Sequence, residues 1–112
     1  MKKIEAVIRP NRLEEVKEAL NAIDICGITI SQVMGCGRQK GFKEVYRGTE
    51  VQINILPKIK LEIVVHDGSA EQVIEAIIRA ARIGEIGDGK IFVSHIEDAI
   101  RIRTGQRGND AL

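Results

Sequence analysis

The stretch that decides the architecture is Lys58-Ile59-Lys60-Leu61-Glu62-Ile63-Val64-Val65-His66-Asp67-Gly68-Ser69, running on into Ala70-Glu71-Gln72-Val73. Ile59, Leu61, Ile63 and Val65 alternate with Lys58, Lys60, Glu62 and Val64, the two-residue period of a strand buried on one face. Asp67-Gly68 ends the strand. Ser69 with Gln72 three residues on spells a capping box, opening a helix that buries Val73, Ala76, Ile77 and Ala80-Ala81. Gly84 suits the end of that helix.

Upstream, Lys3 to Arg9 alternates in the same way, with Ile4, Ala6 and Ile8 on one face and Lys3, Glu5 and Arg9 on the other. Asn11 with Glu14 is an asparagine variant of the capping box, and Leu13, Val16, Leu20 and Ile23 form the buried stripe of a first helix. Gly27 breaks that helix. Ile28, Ile30 and Val33-Met34 predict a second strand to about Gly35. Downstream of Gly87-Asp88-Gly89, Ile91-Phe92-Val93 with Ile96 reads as a fourth strand and Ala99 to Thr104 as a short extended piece.

The order β-α-β-β-α-β predicts an α+β, ferredoxin-like sandwich, an antiparallel sheet with both helices on one face. At 112 residues and 44% apolar content, residues 1–112 read as one domain. Aromatic residues make up only 3%, so the open sheet face is expected to be aliphatic and poorly covered, which oligomerisation would remedy. About twenty residues, from Cys36 to Pro57, separate strands two and three, where two to five would close a hairpin. Phe42, Val45, Tyr46, Val51, Ile53 and Ile55 make this long loop (about 37–56) too apolar for a linker. It reads as a mobile arm that docks into something.

Lys and Arg number 17 against 16 Asp and Glu, leaving no global field to recruit nucleic acid or an anionic membrane. Neither a secretory leader nor an apolar run of membrane-spanning length is present, so a cytoplasmic location is expected. Cys26 and Cys36 form no CxxC motif and pair with neither His66 nor His95 at a zinc-ligand interval; they read as free thiols and small fillers.

Three segments look like parts of one anion site. Gly35-Cys36-Gly37-Arg38-Gln39-Lys40-Gly41 offers glycine amides and two cations. Its spacing is not a Rossmann fingerprint, and on its own it reads equally well as a flexible loop root. Gly84-Glu85-Ile86-Gly87-Asp88-Gly89-Lys90 superficially matches a Walker A loop, but Ile91 stands where the Mg²⁺-holding hydroxyl belongs and the helix precedes the loop instead of following it. A nest of amides with a lysine can still hold phosphate, although a tight turn beside a surface lysine is the bland alternative. Ile100-Arg101-Ile102-Arg103-Thr104-Gly105 puts both arginines on one face if the segment is extended, suiting a polyphosphate or merely charging an edge. With Lys58, these segments gather six cations beside glycines in a nearly neutral chain.

The loop root 37–41, Tyr46-Arg47-Gly48, Leu56-Pro57-Lys58, Gly87-Asp88-Gly89-Lys90-Ile91-Phe92-Val93 and Arg101-Ile102-Arg103-Thr104-Gly105 resemble PII nitrogen-regulatory signal-transduction proteins, over essentially the whole chain. The resemblance implies a homotrimer with nucleotide sites between neighbouring subunits, and a regulatory protein, not an enzyme. Gly87, Asp88, Gly89 and Lys90, with Arg101, Arg103, Gly37 and Arg38, would hold the phosphates of ATP or ADP. Val7, Thr29, Gly35, Glu62 and Val64 would line adenine and ribose. Gln39 would contact Mg²⁺ carried by ATP. 2-Oxoglutarate would complete the metal's shell, with Lys58 on one carboxylate and the Lys40 and Gly41 amides at the other end. The loop, including Phe42, Tyr46, Arg47, Thr49 and Val51, would engage partners such as an ammonium transporter or nitrogen-metabolism and regulatory proteins, and residues 98–112 would form a C-terminal segment.

One departure stands out: Val51 occupies the position at which many PII proteins carry a nucleotidylated tyrosine, so that modification is excluded there. Thr49 lies where some relatives have a phosphorylated serine, but it reads rather as an ordinary loop threonine. Regulation by ligands alone is therefore expected.

Three rivals remain. A phosphotransfer or ATPase enzyme on this scaffold needs a base or nucleophile near the phosphates, and His66 and His95 lie outside the glycine segments. An RRM-like RNA binder needs aromatics on its central strands, and Ile59 to Val65 has none. A purely structural trimer would bind no ATP.

Overall fold

The computed structural model describes residues 1–36, 43–46, 49–52 and 55–112, with side chains described for 1–36 and 55–112. Strand β1 spans Lys2–Ile8, helix α1 Leu13–Asn21, β2 Thr29–Cys36, β3 Lys43–Tyr46, β4 Thr49–Gln52, β5 Ile55–Val65, α2 Ala70–Ala81 and β6 Gly89–His95. Strands β2-β5-β1-β6 form one antiparallel sheet, and β3–β4 pair separately as a hairpin between β2 and β5. This is the expected ferredoxin-like α+β sandwich. Among the described residues no helix is long and apolar enough to cross a membrane.

The core follows from the alternation. Ile4, Ala6 and Ile8 of β1 and Ile59, Leu61, Ile63 and Val65 of β5 are buried against Val16 and Leu20 of α1 and Val73, Ala76, Ile77 and Ala81 of α2. Among the described residues, every buried strand residue comes from the two central strands, β1 and β5. The helices do not cover the edges, and Ile30 and Met34 on β2 and Val93 on β6 stay exposed.

The opposite face of the sheet corrects the expectation of an aliphatic surface. Val7, Val33 and Val64 are half-buried there, but its centre is a lattice of four charges. Lys3 Nζ lies 3.8 Å from Glu5 and 3.6 Å from Glu62, while Lys60 Nζ lies 3.6 Å from Glu5 and 3.5 Å from Glu62.

Neither predicted capping box forms. Pro10–Arg12 makes a single 3-10 turn, which places Asn11 inside the turn and Arg12 at the cap of α1 without a side-chain hydrogen bond. Asp67–Ser69 makes another, and Ser69 caps α2 from φ −96°, ψ −11°, again without a side-chain bond. An N-cap hydroxyl or amide reaches the N3 amide only from an extended backbone, and a preceding 3-10 turn removes that geometry. Helix α1 closes through Asp24 at φ +62°, with Ile25 N–H donating to the Leu20 carbonyl at 2.9 Å.

Candidate functional site

Strand β6 begins at Gly89, opposite Ile8 of β1. Its φ is +108°, and a Cβ there would lie 1.8 Å from the Val7 carbonyl oxygen, so only glycine lets the preceding turn press against β1. The turn is built around Asp88. Its carboxylate accepts from the Ile83 N–H at 3.2 Å and the Gly84 N–H at 2.9 Å, and lies 3.6 Å from Arg9 Nε. Burial tends to raise the Asp88 pKa, but the amides of Gly84 and Ile83 together with the Arg9 charge outweigh it and hold it below 3.8.

Two cations stitch the turn to the ends of the central strands. Arg9 Nη2 donates to the Ile86 carbonyl at 2.9 Å, and Lys58 Nζ donates to the Gly87 carbonyl at 2.8 Å. Gly35 makes room for the second contact, since a Cβ there would stand 2.9 Å from Lys58 Cγ. Burial lowers the Lys58 pKa from 10.5 and the Arg9 guanidinium lowers it further, against an opposing pull from Asp88. Lys90 is exposed alongside. The Asp88 carboxylate is engaged by its own turn, so the surplus here is positive. Glycine-rich backbone flanked by a partly dehydrated ammonium and a guanidinium is an arrangement suited to an anion such as phosphate.

A second cluster sits at the other end of the sheet. Thr29, Glu62 and Val64 line a cavity of about 470 Å³ together with Lys3, Gly27, Ala111 and Leu112. Arg101 is tied to its rim, because Nη2 donates to the Leu112 carbonyl at 3.1 Å and Nη1 to Gln106 Oε1 at 3.2 Å.

The segment carrying Arg101 and Arg103 is extended only at its start, where Ile100 forms an antiparallel bridge with Arg107; Ile102 to Thr104 turn back, which corrects the reading of Ala99 to Thr104 as one extended piece. It folds on itself: Gly105 N–H donates to the Arg101 carbonyl at 2.7 Å, Arg101 N–H to Gln106 at 2.9 Å and Gly108 N–H to Ala99 at 2.9 Å. Asp98 closes the loop, accepting from Arg107 Nη1 at 2.8 Å and from the Ala99 and Gly108 amides. The Arg107 hydrogen bond is the main reason its carboxyl sits below 3.8.

The sequence-derived residues therefore sort into two groups. Val7, Gly35, Lys58, Gly87, Asp88, Gly89 and Lys90 meet at one end of the sheet; Thr29, Glu62, Val64 and Arg101 gather at the other. Thr29 and Gly35 lie on one strand, β2, about 20 Å apart at the usual rise per residue. Arg103 is exposed in the C-terminal loop. Gly37, Arg38, Gln39, Lys40, Gly41, Phe42 and Arg47 lie outside the described residues. Tyr46, Thr49 and Val51 are placed only by backbone register in the hairpin, Tyr46 opposite Thr49 and Val51 opposite Glu44. Sequence reasoning missed Arg9, whose only signal is its place just before Pro10, and missed that Lys3, Glu5 and Lys60 surround Glu62, although their alternation was visible.

Residues 1–106 match the family model described as "Nitrogen regulatory protein P-II". Over all 112 residues, covering 100% of both chains, the sequence is 59% identical to a protein of Rhodospirillum rubrum and 59% identical to one of Bradyrhizobium diazoefficiens, both named nitrogen regulatory protein P-II. A protein of the same name from Haemophilus influenzae is 58% identical over the same span. With the fold, the glycine turn and a match of this extent in agreement, the chain belongs to the P-II family of nitrogen regulatory proteins.

Proposed function

We propose that this P-II protein is a non-catalytic cytoplasmic sensor that binds ATP or ADP, takes 2-oxoglutarate together with Mg-ATP, and passes that state to a partner through residues 37–56. The observation that carries the reading is the division of the candidate residues. An anion-binding end (Lys58 and Gly87 to Lys90) and a cavity-forming end (Thr29, Glu62, Val64 and Arg101) face opposite ways along one sheet, and neither alone suits a whole nucleotide. Head-to-tail association places one chain's turn against the next chain's cavity, and a heterologous contact of this kind forms a ring when its rotation closes. The flanks favour it. A groove of about 430 Å³ beside β6, lined by Ile74, Ile78, Ile91 and Val93 and reaching Asp88 and Lys90 of the turn, and another of about 390 Å³ beside β2, lined by Ile25, Ile28 and Ile30 with Glu14, Lys17 and Glu18 of α1, lie on the two uncovered edges. Three copies is the number the family resemblance supplies.

The turn suits a phosphate group by composition and charge: Gly84, Gly87 and Gly89 carry no Cβ to shield their backbone, and Lys58 donates to the same turn. Lys58 supplies a cation whose partial dehydration is relieved by an incoming anion, with Lys90 exposed beside it and Arg101 and Arg103 brought by the neighbouring copy. Mg²⁺, held in part by Gln39, would offset repulsion between a triphosphate and a dicarboxylate, whose carboxylates fall to Lys58 and the Lys40 and Gly41 amides. A phosphotransfer role is not favoured. His95 stands opposite Lys2 at the far end of β6 from Gly89, His66 follows β5 at that same end, and neither lines the cavity that holds Thr29 and Glu62.

Calorimetry with sedimentation analysis tests the reading. The expected result is a three-chain particle that binds ATP and ADP, and binds 2-oxoglutarate only with Mg-ATP. A single-chain particle, an absence of ATP binding, or equal 2-oxoglutarate affinity with ADP would reject it. Intact mass of the native protein is expected to show no nucleotidyl or phosphoryl adduct.

A further inference from the structure

Glu62 and Glu5 face each other directly across the β5–β1 ladder, a like-charge pair that is unfavourable by itself. Two lysines offset it. Lys3 and Lys60 lie on either side, and Glu62 holds one carboxylate oxygen 3.6 Å from Lys3 and the other 3.5 Å from Lys60. Both separations exceed hydrogen-bond length, so the lysines orient the carboxylate by charge while its lone pairs remain open to an incoming donor. The result is a carboxylate acceptor oriented at the wall of the 470 Å³ cavity that Thr29, Val64 and Lys3 also line.

We infer that Lys3 and Lys60 are positioning residues for nucleotide recognition: they hold Glu62 against the repulsion of Glu5 so that it accepts a hydrogen bond from the nucleoside. This rests on the nucleotide-binding reading above. The donor is either a ribose hydroxyl or the exocyclic amine of the base. A lattice serving only to neutralise the sheet would confer stability without selectivity among nucleosides, whereas a positioning lattice controls both affinity and selectivity.

The experiment is calorimetric titration of wild type, Lys3→Met, Lys60→Met, Lys3→Arg and Glu62→Gln with ATP, 2′-deoxy-ATP, 3′-deoxy-ATP and inosine triphosphate, with thermal unfolding as the control for folding. Glu62→Gln should weaken ATP binding about tenfold or more, the usual worth of a hydrogen bond to a charged group. Lys3→Met and Lys60→Met should each weaken it about three- to tenfold and flatten the preference for ATP over one analogue, a partial loss of that same bond. Lys3→Arg should restore both. Discrimination lost against a deoxy analogue assigns the donor to the ribose, and against inosine triphosphate to the base amine. If the methionine variants fold and keep wild-type affinity and selectivity, the inference fails while nucleotide binding stands. If wild type binds no ATP, both fail.

Discussion

Gly89→Ala should cost far more than Gly84→Ala, although both glycines sit at positive φ, +108° and +87°. The difference lies in what a Cβ would meet. Nothing lies within 4 Å of one built on Gly84, whereas one on Gly89 would stand 1.8 Å from the Val7 carbonyl oxygen, a backbone atom with no rotamer to escape into. Reaching an ordinary carbon–oxygen contact requires β1 and the start of β6 to part by roughly 1.5 Å. That stretch removes about two ladder hydrogen bonds at about 1 kcal/mol each. Left-handed strain adds about 1–2 kcal/mol in both variants. Gly89→Ala is therefore expected to lose about 3–4 kcal/mol and Gly84→Ala about 1–2 kcal/mol. For a domain of this size each kilocalorie lowers Tm by about 4–8 °C. Thermal unfolding at one fixed chain concentration should place Gly89→Ala about 8–16 °C below Gly84→Ala. Equal melting of the two variants would refute the claim that close approach to β1, and not φ alone, demands glycine at 89.

The acid limb of stability should report Asp88 and Asp98. Both have folded pKa values below the unfolded 3.8, so their contribution is fully present above 3.8 and is lost as pH falls through the depressed values; denaturant unfolding between pH 2 and 5 should show this slope shrink in Asp88→Asn and Asp98→Asn. Lys58 carries the opposite sign. Its folded pKa is below 10.5, so a charging penalty present at neutral pH is relieved as pH rises between the folded value and 10.5. A ¹³C-labelled lysine titration should find this amine below 10.5 and moving upward when ATP is added; an amine unmoved by ATP would remove Lys58 from the anion site. Asp24 holds φ +62° at the end of α1, and Asp24→Gly should raise stability by about 0.5–1 kcal/mol in denaturant unfolding because glycine occupies that region without strain.

The strand and helix order was legible because alternation at 2–8 and 58–65 and the 3.6-residue stripe at 70–81 are enforced by burial, and burial is written in residue types. What failed was local and geometric. Asn11 and Ser69 have the right spacing for capping boxes, but spacing does not report the 3-10 turns that carry their backbones away from the extended region. Ile100-Arg101-Ile102-Arg103 alternates like a strand, yet it pairs with no strand of the sheet and bonds to residues a few positions ahead instead. Alternation is necessary for a half-buried strand; a partner edge is what makes one.

The same distinction explains how much of the candidate site could be read. Glycines and cations in three segments suggest anion chemistry wherever they fall, so Lys58, Gly87, Gly89 and Lys90 stand out as candidates from composition and spacing. Their division between two ends of the sheet depends on register, and register is a relation between strands that no single segment carries. Ile8 opposite Gly89 and Ile59 fixes the anion end, and Thr29 opposite Glu62 fixes the other. β2 runs through both ends, with Gly35 beside Lys58 and Thr29 opposite Glu62. Residues 37–42 follow β2 directly in sequence, so in the function proposed above a partner acting there meets the strand that runs between the two candidate half-sites. If that strand couples the proposed partner and nucleotide sites, the effect is reciprocal: a partner that prefers the ADP form must tighten ADP binding by the same factor, and a partner that binds without changing either nucleotide affinity would show that β2 does not couple the two ends.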